Sequence, residues 1–402
     1  MTDPPSDPSS DTPFDRPGEA PADEDVLAEA GSEEKEDEEE KEKEDEDLPG
    51  EYDPSAGAEV TVEAYSLPLS RPLETAQGTL ERRRGFVVRV RTDEGTGVGE
   101  AAPLPGFTES REACRTALAD AAAVAEREGL EAAHDAIDEE THPAAAHGIG
   151  GAVLDAVGRA LDQPLSRLLG GDSRDRLPVN AVVGDGDPGA TVEAAVAAVD
   201  AGFETLKVKV GARDPRADAT RLREVREAVG PETTLRADAN GAWSRAEAER
   251  FLDAVEPLAL QYLEQPLPPG DVEGSATLRD GPVPIAVDEG LALHGVEAVI
   301  AAGAADVLVV KPMAHGSPAA ARAVAMAALD AGLSATVTTT VDAVVARTTA
   351  VHVAASLPEV TSAGLATADR LGADLGPDPA PVTDGSIAVP QTPGLGVGEV
   401  SP

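Results

Sequence analysis

From Leu177 onward the chain alternates short runs of aliphatic and β-branched residues with longer Ala-rich stretches of helical period. The apolar runs are LPVNAVV, TLKVKVG, TLRADAN, LQYLEQP, PIAVDEG, VLVVKP, LSATVTTT and TSAGLAT. They are too short for buried helices, and most are bounded by Gly, Pro or Asn. That pattern predicts strands covered on both faces, as in a parallel sheet. Segments such as ATVEAAVAAVDAG and SPAAARAVAMAALDAG, placed between the runs, supply the covering helices. Eight parallel strands with intervening helices close most economically into a barrel, in which reactive groups collect at the C-terminal ends of the strands. The predicted class is α/β, with the barrel over residues 177–369.

The preceding region has a different rhythm. VTVEAYSLPL, GFVVRVRTD and GTGVGEAAPL alternate apolar and polar positions between Gly-rich turns, as an antiparallel meander does, and helical patterns follow. Residues 57–176 therefore read as an α+β domain, with the Pro- and Gly-rich residues 370–402 expected to pack back on it. Residues 1–56 hold too few apolar groups to offset the entropy of ordering and read as a disordered acidic tail.

Charge sharpens this picture. The chain has 402 residues and a net charge of −43; residues 1–50 hold 21 acids and four bases, so −26 remains on the other 352 residues. Such a surface repels nucleic acid and anionic membranes. Acidity spread along the whole chain, with arginine far outnumbering lysine, fits concentrated salt, where self-repulsion is screened. No apolar run of transmembrane length and no secretory signal is evident, so a cytoplasmic location in a high-salt cell is expected. Aromatic residues are only 2%, which leaves Ala, Val and Leu to fill the core. The single cysteine, Cys114, reads as a core residue and excludes an intrachain disulfide.

Past residue 43 only three lysines remain, Lys207, Lys209 and Lys311, each near the end of a predicted strand. Arginine cannot give up its proton, whereas a crowded lysine can, so this retention points to lysine acting as a base. Lys207 and Lys209 are one residue apart and face the same side of their strand. Their mutual repulsion is expected to lower at least one pKa. Asp238, Glu264 and Asp288 close the next three runs, at intervals of 29, 26, 24 and 23 residues from Lys209 to Lys311. Three carboxylates on successive strand ends would converge on one point, and all-oxygen ligation there suits one Mg²⁺ ion. Lys311, on the sixth strand, lies across a barrel mouth from the second. Metal, base and opposing ammonium together suit removal of a proton next to a carboxylate, so the expected partner is a small-molecule carboxylate.

GDGDPG at Gly184–Gly189 matches a dinucleotide-binding spacing, but Asp185 and Asp187 would face the pyrophosphate, and the segment reads as an ordinary barrel loop. The six histidines, His315 and His352 among them, show neither metal-ligand nor triad spacing.

With these motifs in place, KxK at Lys207 and Lys209, DAN at Asp238–Asn240, EQP at Glu264–Pro266, DE at Asp288 and Glu289, and KP at Lys311 and Pro312, the chain resembles the enolase superfamily over about residues 58–395. The resemblance implies a modified TIM barrel, (β/α)7β, beneath an α+β capping domain. It implies Asp238, Glu264 and Asp288 as ligands, Lys209 as base, Lys207 as its electrostatic partner and Lys311 opposite, with Glu289 in support. Within that superfamily GVGEAAPLPGFTES and RADANGAW are similar to the o-succinylbenzoate synthases of menaquinone biosynthesis, which are Mg²⁺-dependent hydro-lyases. Racemases, dipeptide epimerases and muconate cycloisomerases of the superfamily are the alternative. On the same resemblance Arg236, Asn240, Phe107, Thr338, Thr339 and Thr340 are the candidates for contacting substrate.

Overall fold

A computed structural model describes residues 58–402 apart from 76, 77, 94, 172 and 173. The acidic tail expected over residues 1–56 lies outside the described residues. Three strands come first, β1 (Glu59–Thr75), β2 (Gly78–Thr92) and β3 (Gly95–Ala101), paired antiparallel in the order β1-β2-β3. Helices α1 (Arg111–Glu128), α2 (Leu130–Asp135), α3 (Pro143–Ala160) and α4 (Leu165–Leu168) follow. The sheet turns Phe86, Val88 and Val90 inward, and α3 lies directly on β3. Glycine permits that approach: a Cβ on Gly97 would fall 2.0 Å from the Ala152 carbonyl, and one on Gly99 2.0 Å from the Gly148 carbonyl. Cys114 is fully buried in this core.

The second sheet contains seven parallel strands in strict sequential order: β5 (Asn180–Val183), β6 (Thr205–Lys209), β7 (Thr234–Asp238), β8 (Tyr262–Glu264), β9 (Ile285–Val287), β10 (Val307–Val310) and β11 (Ser334–Val337). Each pairs with its neighbours in sequence, and helices cross between most of them, as runs of Ala, Val and Leu covered on both faces require. The run TSAGLAT, expected as a full eighth strand, contributes only single bridges. Ala363 pairs with Val179 beside β5 and Gly364 with Thr338 beside β11, so one short stretch joins the two edges. The first run is also divided. Its start is β4 (Arg176–Pro178), which leaves the parallel sheet and pairs with β13 (Ser386–Ala388), itself paired with β12 (Val382–Thr383).

The C-terminal segment touches both parts: on the barrel side the Leu395 carbonyl meets His352 Nε2 at 3.1 Å, and the other contacts reach the first domain. Leu371 bridges Leu69, the Val400 carbonyl accepts from Arg89 Nη2 at 2.8 Å, and the Leu395 amide donates to Asp155 Oδ1 at 2.7 Å. Among the described residues no helix is long and apolar enough to cross a membrane.

Candidate active site

Register sets the site. Lys209 on β6 stands beside Asp238 on β7, and Asp238 beside Glu264 on β8, so three functional groups share one level at the strands' C-terminal ends. Asp288 follows β9 and Lys311 follows β10. With seven strands in order and residues 363–364 joining the edges, β6 and β10 lie four places apart either way round. Lys209 and Lys311 therefore occupy opposite walls.

Lys207 Nζ is 2.9 Å from Asp238 Oδ2 and 2.7 Å from the Glu264 carboxylate. Lys209 Nζ donates to Asp238 Oδ2 at 2.7 Å and to Asn240 Oδ1 at 2.8 Å. Asn240, in a left-handed conformation with φ 45°, is oriented in turn by its Nδ2 donating to Glu289 Oε1 at 3.1 Å. Across the mouth Lys311 Nζ donates to Asp288 Oδ2 at 2.5 Å and stands 3.8 Å from the centre of the Phe107 ring, which the first domain's loop after β3 carries over it.

Electrostatics divide these groups. At Lys207 burial alone would lower the pKa, but Asp238 and Glu264 outweigh it and hold the ammonium well above the ordinary lysine value. The expected mutual depression of the two lysines is thus overridden at Lys207, because carboxylates rather than the second ammonium are its nearest neighbours. Burial likewise pushes against ionisation of Asp238, but Lys207 and Lys209 prevail and its carboxyl stays below the usual range. Glu264 goes the other way, raised to about 7 by burial and then by Asp238. Asp288 is raised by burial, against the pull of Lys311. Beside Lys311, burial and then that ammonium lower His315 to about 4, so its ring is neutral near pH 7.

The three carboxylates do not meet at one point. Among the described residues no three Asp, Glu, His or Cys side chains stand close enough to share an ion as placed, because Lys207 lies between Asp238 and Glu264 and Lys311 engages Asp288. The donor chemistry nonetheless fits a hard divalent cation. Asp238, Glu264 and Asp288 are all but fully buried, and Asp288 Oδ1 and Glu289 Oε2 are buried with no hydrogen-bond partner. Glu264 Oε2 likewise lacks a partner in hydrogen-bonding geometry, although the Lys207 ammonium is only 2.7 Å away. Buried acceptors of this kind call for a cation.

Other candidates are engaged elsewhere. Arg236 is fully buried below the Asp238 level; it donates to Gln261 Oε1 at 2.7 Å, Asn180 Oδ1 at 2.9 Å and the Ser362 carbonyl at 2.7 Å, and stacks on Tyr262. Facing inward placed it in the barrel's interior, not at the mouth. Thr338 gives its hydroxyl to the Gly364 carbonyl, Thr339 pairs with Thr367, and Thr340 donates to Asp342. These hydroxyls hold the β11 end in place. In the GDGDPG loop Asp187 accepts from the Ala190 amide at 3.1 Å and caps the helix Pro188–Asp200, filling the position a phosphate would need.

A buried polar cluster between the two domains escaped sequence reasoning. Glu100 on β3 accepts from Tyr65 Oη at 2.6 Å and from the Ala343 and Ala346 amides at 3.0 and 2.8 Å, at the start of the helix Val344–Ala355. Arg83 on β2 reaches Asp342, and the His147 Nδ1 meets the Glu100 carbonyl at 2.9 Å. A second contact repeats the device: Glu139 accepts from the Ser317 amide at 3.0 Å, at the start of the helix Pro318–Asp330. The one available signal was parity, since Arg83 takes the inward position between outward Arg82 and Arg84.

Comparison with known proteins matches residues 190–399 to a family model described as enolase C-terminal domain-like, and residues 58–156 to one described as MenC, N-terminal domain. The N-succinyl-L-Arg/Lys racemase of Bacillus cereus is 30% identical over 78% of this chain and 88% of its own. Muconate cycloisomerase 1 of Pseudomonas putida is 27% identical over 83% of this chain and 93% of its own. The solved structure of the Enterococcus faecalis dipeptide epimerase, complexed with Mg and the dipeptide L-Leu-L-Tyr, superposes with a TM-score of 0.75 at 27% identity, over 84% of this chain and 98% of that one.

Proposed function

The chain belongs to the enolase superfamily and is an enzyme of it, and from that premise we propose that it acts as an o-succinylbenzoate synthase. The substrate would be a cyclohexadiene carboxylate that bears a succinyl group and a ring hydroxyl. The observation that carries this reading is the first domain, which matches the MenC N-terminal model and lays Phe107 over Lys311, an aromatic wall suited to a planar ring.

Lys209, held at Asp238 and Asn240, is the base that takes the proton next to the carboxylate. The same amine, now an ammonium, returns that proton to the departing hydroxyl group, so water leaves and the ring becomes aromatic. Lys207, kept protonated by its two acids, and Lys311, from the opposite wall, oppose the negative charge that develops on the substrate. Asp238, Glu264 and Asp288 are the residues that would hold one Mg²⁺ ion, whose contribution when bound is to neutralise charge on the substrate carboxylate.

A second reading, racemisation of N-succinylamino acids, is favoured by two specific observations: the B. cereus relative and the two amines on opposite walls, which suit removal of a proton from one face and return to the other. The test offers purified protein the cyclohexadiene substrate and N-succinylamino acids in Mg²⁺ and high salt. Dehydration much faster than racemisation is expected. Racemisation alone, with solvent deuterium entering the alpha position, would replace the first reading with the second. The net charge of −43 supports concentrated salt as the medium, and the amines of the site support a small carboxylate as the partner.

A further inference from the structure

Arg83 is 3% exposed, and its guanidinium bridges two loops from different domains. On the first-domain side Nη1 donates to the Pro103 carbonyl at 2.8 Å and Nη2 to the Ala102 carbonyl. These carbonyls open the segment Pro103–Thr108, which places Phe107 against Lys311. On the barrel side Nε donates to the Val341 carbonyl at 3.2 Å, while Nη2 reaches Thr340 Oγ1 at 3.2 Å and Asp342 Oδ1 at 3.3 Å. Val341 has φ 62°, a left-handed conformation that a β-branched residue adopts only when its surroundings impose it. Five acceptors converge on one planar fork, a geometry that lysine's point charge cannot reproduce.

We propose that Arg83 is a positioning residue for the reaction, locking the loop that presses Phe107 onto Lys311 to the strained end of β11 so that the mouth is closed to a fixed width. It acts through Phe107, and it rests on the reading above only in taking Lys311 as a wall of the working site. Misplacing a wall by about 1 Å is enough to cost about 10²-fold in rate. The fork joins the loops without touching substrate, so its loss should be felt through the aromatic ring.

The experiment is a double-mutant cycle in the full chain with Arg83→Met, Phe107→Ala and the pair, measured on whichever substrate the wild type turns over. Each single substitution should lower kcat/KM by about 10- to 100-fold, and Phe107→Ala should add less than about twofold once Arg83 is gone, because residues acting as one unit are not additive. If Phe107→Ala keeps its full effect in the Arg83→Met background, Arg83 is merely structural and the proposal falls.

Arg83→Lys, which keeps a charge beside Asp342 but lacks the fork, carries the same comparison if Arg83→Met does not fold. A second readout needs no turnover: chymotryptic cleavage after Phe107 should accelerate in Arg83→Lys, compared with the wild type at a temperature where both are fully folded. Equal cleavage rates would overturn the proposal. A wild type inactive on both substrates would defeat the functional reading alone, leaving the cleavage comparison to decide this one.

Discussion

Replacing Glu100 with Gln should change how stability depends on pH. The carboxyl is fully buried between the two domains, and burial, followed by the nearby Asp342, raises its pKa from 4.5 to about 7. The folded chain therefore holds this proton more tightly than the unfolded chain does. By linkage, the stability that the proton contributes is fully present below pH 4.5 and is lost as the pH climbs through 7. At about 1.4 kcal/mol per pKa unit, the part falling between pH 5 and pH 8 is about 2.5 kcal/mol. With an unfolding entropy of about 2 cal/mol/K per residue over about 340 residues, that corresponds to about 3–4 °C in the midpoint. The assay is thermal unfolding of the wild type and of Glu100→Gln at both pH values in one high salt concentration. Subtracting the two proteins cancels the other titrations. The amide leaves the Ala346 N–H without its acceptor, a cost of about 1–3 kcal/mol that is the same at both pH values. The wild type should lose about 3–4 °C relative to the variant on going from pH 5 to pH 8. A gap that stays constant within about 1 °C would refute both the assigned pKa and its cause.

Lys209→Ala should reduce turnover of any accepted substrate by about 10²–10⁴-fold with little change in the unfolding midpoint, and Lys311→Arg should stop any racemisation, both read by steady-state kinetics. Chelation of divalent cations should abolish activity, with Mg²⁺ restoring it; after Asp288→Asn, restoration should require much more Mg²⁺, as a titration would report. Gly99→Ala drives a Cβ to 2.0 Å from the Gly148 carbonyl and should cost about 1–3 kcal/mol or more, seen as a lowered midpoint or loss of soluble protein.

The strands carrying the site were legible because VLVV is apolar throughout, TLKVK sets Leu206 and Val208 on one face, and both runs end at their chemistry. Each functional group is therefore tied to a strand end by its own neighbours in sequence. The site's electrostatics were less legible. KVK shows two amines side by side, but only the fold brings Glu264 within 2.7 Å of Lys207, and that contact reverses the direction of its pKa. Arg236 illustrates a related limit: parity turns it inward, yet depth along the barrel axis decides between substrate and interior. TSAGLAT has a strand's composition but forms only single bridges, because the neighbours it joins meet there over a residue or two. The partners of Glu100 and Arg83 were hidden for a further reason. They lie some 240 to 260 residues away, and beyond the inward parity of Arg83 nothing in GVGEAA or RRRGF announces them.

The long return of residues 394–400 has a consequence for how the protein is made. Arg89, Asp155 and Leu165 belong to the segment translated early, yet they await Val400, Leu395 and Gly394. The first domain thus emerges from the ribosome with its edge unfinished and is sealed only after residues 394–400 have been added. Contacts separated by more than two hundred positions are slow to form, so this nascent domain must stay soluble while the whole barrel is synthesised after it.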